Sequence, residues 1–577
     1  MRNHAGRNNS VSIAFVGKGG AGVVTAGEIL LIAAARAGRY GLMIPAVGPQ
    51  IRGGESAALL RLGSSPLHCL DDRIDVLAGI SWQHVESFKA DIPLDSASLI
   101  VTDPAAGSLP DFIIAAEPQT CELAMTTIAE SVAGGRENMV MLGYVARLAG
   151  IPEAALREAS EKKLGRKGRE AVRAGNECMR LGYAEAASAT AAEPVTTSSK
   201  ERRWLMSGNH ATGLGALRGG IRFAAAYPIT PATEVLEWLA PRISRAGGTL
   251  VQAEDELASI NMVIGASFAG IPSLTATSGP GLSLMIEGLG LAVGAEIPVV
   301  VVDVMRGGPS TGIPTKPEQS DLNAAVYGLH GDAPHIVVAP NSVPDCVFTT
   351  QWAVHLAEAM QVPVIVLSDQ FIGQSNAVLD PVPDIAFFAQ RRIAEQTDEN
   401  FERYAITADG ISPIPVPGMP GGQYTAGGLT HSPKGRPSGR ADDHFQQLDK
   451  RAKKITEFDY GRHWADIDGD GDLGVITWGS TTGTVNEAIG RLPPELRAKL
   501  RLISLRLLLP AQPEQMADAL QGIGRAIVVE QNYGGQLYRF LRAWYDLPAD
   551  TTTMNRPGPS VFRPGEIAER LHDWIGQ

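Results

Sequence analysis

Residues 11–38 read VSIAFVGKGGAGVVTAGEILLIAAARAG, and this stretch decides the fold class. Residues 11–17 are a short apolar run rich in β-branched side chains, of the length of a buried strand. From Val23 onward the apolar residues recur at helical spacing. Between the two lies Gly17-Lys18-Gly19-Gly20-Ala21-Gly22, close to GxGxxG but not identical to it. A strand, a Gly-rich turn and a helix in this order open a βαβ unit. Further strands are expected at 75–80 (DVLAGI) and 99–103 (LIVTD), and the pattern continues to about residue 190.

Working outward, 184–202 are small, polar and Pro-containing, which marks a linker, set here at 191–205. A second α/β domain is expected over 206–378. Its strands are FAAAYP at 223–228, SLTAT at 273–277, PVVVVDV at 298–304, HIVVA at 335–339 and PVIVLSD at 363–369, and helical stretches alternate with them. That alternation predicts a mainly parallel sheet covered by helices. Residues 379–470 are rich in Pro, Gly and charge and read as a connecting arm that ends in the acidic DIDGDGD. A third α/β domain follows at 471–577, with strands in LGVITWGS and RAIVVEQN.

With 577 residues, several cores are expected rather than one. A net charge of −12 argues against a nucleic-acid partner, because phosphate binding needs a basic face. No run of apolar residues is long enough for a membrane span, and no secretory leader is seen, so a cytoplasmic protein is expected. The cysteines, Cys69, Cys121, Cys178 and Cys346, are far apart and form no CxxC pair, so no cluster and no metal site is expected in this chain.

Four segments of the second domain carry candidate chemistry. Tyr227-Pro228-Ile229-Thr230-Pro231 is a turn fixed by two prolines at a strand's carboxyl end, where open α/β sheets bind ligands. It also serves as a plain rigid turn. Gln252-Ala253-Glu254-Asp255-Glu256 puts three carboxylates at a helix start. The helix dipole alone accounts for such a run, yet the residues after Glu256 suggest a helix buried on several faces, so one carboxylate can point inward. Thr277-Ser278-Gly279-Pro280-Gly281 is either a tight strand–helix turn or a place where backbone meets ligand. Arg306-Gly307-Gly308-Pro309-Ser310-Thr311-Gly312-Ile313-Pro314-Thr315-Lys316 collects a guanidinium, three hydroxyls and an ammonium after the most apolar strand, which points to anion binding.

Together and in this order, YPITP, QAEDELAS, TSGPG and RGGPSTGIPT resemble the alpha subunits of 2-oxoacid:ferredoxin oxidoreductases, closest to the two-subunit type that oxidises 2-oxoglutarate or several 2-oxoacids. GKGGAG and the arginine loop IPAVGPQIRGGES (44–56) resemble that family's gamma domain, which the two-subunit type fuses ahead of alpha. WGSTTGTVNEAI (478–489) resembles its transketolase-C-like domain. The resemblance implies a multi-domain α/β protein with a Rossmann-like gamma domain, a pyrimidine-binding thiamine diphosphate domain and a transketolase-C-like domain. It implies that Glu256 holds N1′ of the aminopyrimidine and favours its imino tautomer. Tyr227, Pro228, Ile229, Ser278, Gly279 and Pro280 would lie along the cofactor, and Thr230 and Arg306 would hold the 2-oxoacid carboxylate. Thr311, Thr315 and Lys316 would line the substrate pocket, and a Lys316 that reaches the distal carboxylate would favour 2-oxoglutarate.

Ala21, His210 and Ala232 depart from residues common in the family. A GDG with a later Asn, the diphosphate and Mg²⁺ signature, is also incomplete. Gly469-Asp470-Gly471 is present, but residues 494–500 hold no Asn, so the DGDGD stretch reads as a solvated turn. The resemblance therefore assigns Mg²⁺, the diphosphate half-site and a [4Fe–4S] cluster to a beta subunit, in an assembly of two alpha–beta pairs. Coenzyme A and ferredoxin are the implied co-substrates in a reversible, CoA-dependent oxidative decarboxylation. A pyruvate or branched-chain 2-oxoacid oxidoreductase and a non-redox thiamine diphosphate enzyme are the alternatives.

Overall fold

The computed structural model describes residues 10–47, 55–83, 85–188 and 203–577. Most of the arginine loop (48–54) and most of the linker (189–202) lie outside the described residues.

The first sheet opens with β1 (Ser10–Lys18), β2 (Tyr40–Val47), β3 (Glu55–Gly63), β4 (Val76–Gly79), β5 (Leu99–Thr102) and β6 (Gln119–Glu122). β6, β5, β4 and β1 run parallel, which is the Rossmann-like half, and β3 and β2 continue it antiparallel. The Gly-rich turn leads from β1 into the helix Val23–Arg36, whose Ala and Leu face is buried against the sheet. Gly20 and Gly22 have φ of 88° and 82°, a backbone that L side chains rarely adopt.

Two more strands complete this sheet, and both come from the flanks of the second domain. β7 (Trp204–Ser207) and β14 (Asn376–Leu379) pair antiparallel, and β14 pairs with β2. The boundaries expected at 205/206 and 378 are therefore displaced. Residues 204–207 and 376–379 are structurally part of the first sheet because each finds its hydrogen-bonding partner there.

The middle sheet contains β8 (Phe223–Ala226), β9 (Thr249–Gln252), β10 (Ser273–Thr277), β11 (Val299–Met305), β12 (Ile336–Val338) and β13 (Pro363–Asp369). They run parallel in the order β12-β13-β11-β10-β8-β9. All seven residues of β11 and of β13 are buried, as expected for strands covered on both faces.

The third sheet is built from β15 (Ala465–Asp468), β16 (Leu473–Trp478), β17 (Leu500–Leu505), β19 (Arg525–Glu530) and β20 (Asp550–Asn555). Its chain also supplies β18 (Leu507–Leu509), which pairs antiparallel with β12. The middle and third domains share one continuous core, in which Val300 and Val364 belong to the same cluster as Trp478, Leu505 and Phe540.

The arm is less irregular than expected. Ala441–Thr456 is a helix, and β15 belongs to the third sheet. The charges that made this stretch read as loop are buried partners. Lys450 Nζ and Lys454 Nζ lie 2.5 Å and 2.9 Å from the two carboxylate oxygens of Glu296, and all three side chains are almost fully buried. The acidic turn 468–470 is exposed. Among the described residues no helix is long and apolar enough to cross a membrane.

Candidate active site

β11, β10, β8 and β9 are consecutive neighbours in a parallel sheet. The four segments singled out in the sequence follow their carboxyl ends, so they lie side by side along one edge.

After β9, Asp255 caps the helix Glu256–Phe268 by accepting from the Ala258 N–H at 2.6 Å. Asp255 and Glu254 are exposed, whereas Glu256 is 7% exposed. The inward carboxylate of the three is thus Glu256, and it takes no hydrogen bond from any described residue. After β10, Ser278 precedes the helix Gly279–Ala295 without capping it, and its buried hydroxyl has no partner among the described residues. Gly281 is required here. A Cβ at this position would stand 2.0 Å from Thr277 Oγ1 and 2.9 Å from Glu256 Oε1. Pro280 occupies the first turn of that helix.

After β8, Tyr227 is exposed and Pro228, Ile229 and Thr230 are half-buried. Behind them Asn209 Nδ2 donates to the carbonyl oxygen of Pro231 at 2.9 Å and to Glu234 at 3.1 Å, and Gln374 donates to Glu234 at 3.0 Å. These contacts fix the turn from below. His210 follows the capping Ser207, whose hydroxyl accepts from the His210 N–H, and burial pushes its imidazole pKa down.

After β11, Arg306 is 7% exposed, and its Nη1 donates to the carbonyl oxygen of Thr230 at 2.6 Å. The Thr230 hydroxyl makes no hydrogen bond to a described residue. Gly307 N–H donates to the carbonyl of Lys316 and Ile313 N–H to that of Gly307, so 307–316 closes on itself. Thr311 is exposed and Thr315 half-buried, and neither hydroxyl is engaged. Lys316 does not meet the expectation of a free ammonium for a distal carboxylate. Its Nζ is 2.5 Å from Asp91 Oδ2 of the first domain, a half-buried ion pair that ties the loop across the domain boundary.

Two residues that the sequence reading passed over stand beside Arg306. Asp303 is fully buried in β11, and Asp321 follows the loop. Burial pushes the Asp303 carboxyl well up, and the neighbouring Asp321 pushes it the same way. Asp321 is raised to about 6 by burial and by Glu318. The signal for Asp303 was present: a carboxylate inside PVVVVDV is out of place unless it is partnered.

In the first domain, a cavity of about 920 Å³ opens beside the Gly-rich turn, with Lys18, Thr126, Arg136 and Asn138 on its wall. Among the described residues no group of three or more His, Cys, Asp or Glu side chains is arranged to hold a metal ion.

Residues 214–450 match the family described as "Pyruvate flavodoxin/ferredoxin oxidoreductase, thiamine diP-bdg", and residues 12–185 match "Pyruvate ferredoxin/flavodoxin oxidoreductase". The 2-oxoglutarate oxidoreductase subunit KorA of Mycobacterium tuberculosis is 31% identical over 95% of this chain and 89% of its own length. The 2-oxoglutarate synthase subunit KorA of Methanothermobacter marburgensis is 34% identical over 64% of this chain and 98% of its own length. A solved 2-oxoglutarate:ferredoxin oxidoreductase from Magnetococcus marinus, with 2-oxoglutarate, coenzyme A and succinyl-CoA bound, superposes with a TM-score of 0.90 at 37% identity. It covers 99% of this chain and 100% of that one. With the four motifs along one sheet edge, these likenesses establish that this chain belongs to the 2-oxoacid:ferredoxin oxidoreductases, as an alpha-type subunit.

Proposed function

We propose that this chain binds the aminopyrimidine of thiamine diphosphate and the carboxylate of 2-oxoglutarate in a reversible, CoA-dependent oxidative decarboxylation to succinyl-CoA and CO₂ that reduces ferredoxin. The observation that carries the reading is Glu256, a buried carboxylate with no hydrogen-bond partner among the described residues, beside a glycine that cannot accept a side chain. The unpartnered Ser278 hydroxyl fits the same ligand, because a buried polar atom left alone is costly unless something bonds it.

When bound, thiamine diphosphate supplies the nucleophilic carbon and the electron sink for decarboxylation. Glu256 would share a proton with ring nitrogen N1′. Ser278, Gly279 and Pro280 would line the ring from the helix N-terminus, and Tyr227, Pro228 and Ile229 from the turn after β8. Arg306 presents its guanidinium to the substrate carboxylate while its bond to the Thr230 carbonyl fixes its direction. The Thr230 hydroxyl, unengaged, is available to the same carboxylate. Thr311 and Thr315 stand further out along the pocket.

The choice of 2-oxoglutarate rests on the relatives' substrates rather than on Lys316, which is held by Asp91. Coenzyme A would be enclosed with help from the gamma-type domain. The diphosphate, Mg²⁺ and a [4Fe–4S] cluster are assigned to a beta subunit, in an assembly of two alpha–beta pairs. Leu257, Met262 and Leu284, exposed on the two helices that border the site, suit such an interface.

Anaerobic, CoA-dependent viologen reduction by the natively purified complex tests the reading, with 2-oxoglutarate and pyruvate compared. Preference for 2-oxoglutarate supports it. Preference for pyruvate, the substrate in the matched family's description, would replace the substrate while keeping the family.

A further inference from the structure

Asp303 has two carboxylate oxygens, both buried, and neither has a hydrogen-bond donor among the described residues; Asp321 Oδ2 is in the same position. Asp321 precedes the helix Leu322–Tyr327 but does not cap it with its side chain. Its carboxylate is turned instead against Gly279, close enough that a Cβ there would stand 2.6 Å from Oδ2. In the sheet Asp303 is flanked by Thr277 on β10 and Leu367 on β13, neither of which ionises. The charged groups that reach the pair are Arg306 and Glu318, and Glu318 itself is raised by burial while the Gly308 N–H opposes that rise. Two carboxylates and one guanidinium thus share a nearly dry space. Two ionised carboxylates in contact repel, and a single proton between them removes the repulsion and joins two of the three unpartnered oxygens in a hydrogen bond.

We propose that Asp303 and Asp321 hold one proton between them behind Arg306, and that the pair takes up a second proton from solvent when the carboxylate of a 2-oxoacid settles on Arg306. The charge count supports this. Before binding, one guanidinium faces one net carboxylate charge. The substrate adds a second negative charge on the same guanidinium, and a proton taken up by the pair restores neutrality. Asp321, half-buried where Asp303 is fully buried, is the member that solvent protons reach. The pair therefore acts as a positioning and charge-matching device for the substrate-binding arginine. This rests on the reading of Arg306 as the substrate's anchor.

By linkage, a ligand that promotes proton uptake binds more tightly as pH falls toward the value of the free pair, and the gain levels off below it. Asp321 at about 6 puts the gain on the alkaline side of that value. The test uses the purified alpha–beta complex. KM for 2-oxoglutarate is measured from pH 5.5 to 8, and 2-hydroxyglutarate binding is followed by calorimetry at pH 6 in two buffers of different ionisation enthalpy. The wild type is expected to show KM falling several-fold toward acid pH, about tenfold at most, with net proton uptake on binding. Asp321→Asn is expected to flatten both. Asp303→Asn, an isostere of the protonated acid, leaves Asp321 as the one carboxylate of the pair and is expected to retain net proton uptake on binding, because its amide still donates to Asp321. A pH-independent KM with no proton uptake in the wild type, or the same uptake in Asp321→Asn, overturns the proposal. An unchanged KM in Arg306→Ala would instead remove the substrate anchor, and the proposal with it.

Discussion

Arg306 reaches across β10 to bond the carbonyl oxygen of Thr230, so the loop after β11 and the turn after β8 are braced against each other at 2.6 Å. Lysine cannot reproduce this, because its single ammonium cannot hold the Thr230 carbonyl and a substrate carboxylate in one plane. Arg306→Lys is expected to raise KM for the 2-oxoacid by about 10- to 100-fold, the worth of a charged hydrogen bond. Steady-state kinetics on the purified complex decide it, and an unchanged KM would contradict the brace.

Glu256→Gln keeps the volume of the side chain and removes its charge. Turnover is expected to drop by about 10²–10⁴-fold, the usual scale for losing a proton-handling group. The circular dichroism spectrum should stay unchanged, since no described residue depends on this carboxylate for a hydrogen bond.

Gly281→Ala separates binding from folding. The added methyl collides with Thr277 Oγ1 and pushes on Glu256, while the rest of the helix is untouched. The expected result is a complex that assembles but retains less thiamine diphosphate after gel filtration, by roughly tenfold or more if about 1.4 kcal/mol of binding is lost. Full retention would mean that Glu256 can shift without consequence.

Glu296 is the counter-charge of two buried lysines, and Arg403 bonds its carbonyl oxygen at 2.9 Å. Burial alone would raise the Glu296 carboxyl, but Lys454 and Lys450 outweigh it and hold it far below the ordinary range. Glu296→Leu strands both ammoniums and is expected to cost about 3–5 kcal/mol. Thermal unfolding should move down by more than about 6 °C.

The contact between the first and third domains is expected to be acid-labile. Arg61 and Arg491 clasp Asp71 and Glu487 there. Burial tends to raise both carboxyls, yet the two arginines leave them below their ordinary values. Depressed folded values mean stability that is present above the unfolded value of about 4 and is lost as pH falls through the folded values. Unfolding temperature followed from pH 7 to 3 should therefore fall steeply below about pH 4, and Glu487→Gln should flatten that fall.

What could be read from the sequence was what local pattern encodes. Residues 363–369 and 273–277 are strands within the limits expected, because each is a short run bounded by turn residues and set between helical stretches. The apolar residues after Glu256 showed that one carboxylate of the run can point inward, and the resemblance, not the pattern, chose Glu256. The strands of four and three residues, Trp204–Ser207, Asn376–Leu379 and Leu507–Leu509, could not be assigned to their sheets. Segments this short carry no period, and their partners lie in other domains. The ion pair of Lys316 was out of reach for the same reason, since its partner is 225 positions away. The helix Ala441–Thr456 was hidden because its buried face is cationic rather than apolar.

The ribbon of β7 and β14 bears on how such a gene can be divided. A break anywhere in the codons for residues 189–202 would yield two polypeptides, one ending with the edge of β2 open and the other carrying the ribbon that closes it. The peptide bond at that join supplies local concentration, and the recognition is already written into backbone hydrogen bonds. Fusion and fission of the two genes would then be nearly neutral events for the folded assembly, and either arrangement can be inherited without redesigning an interface.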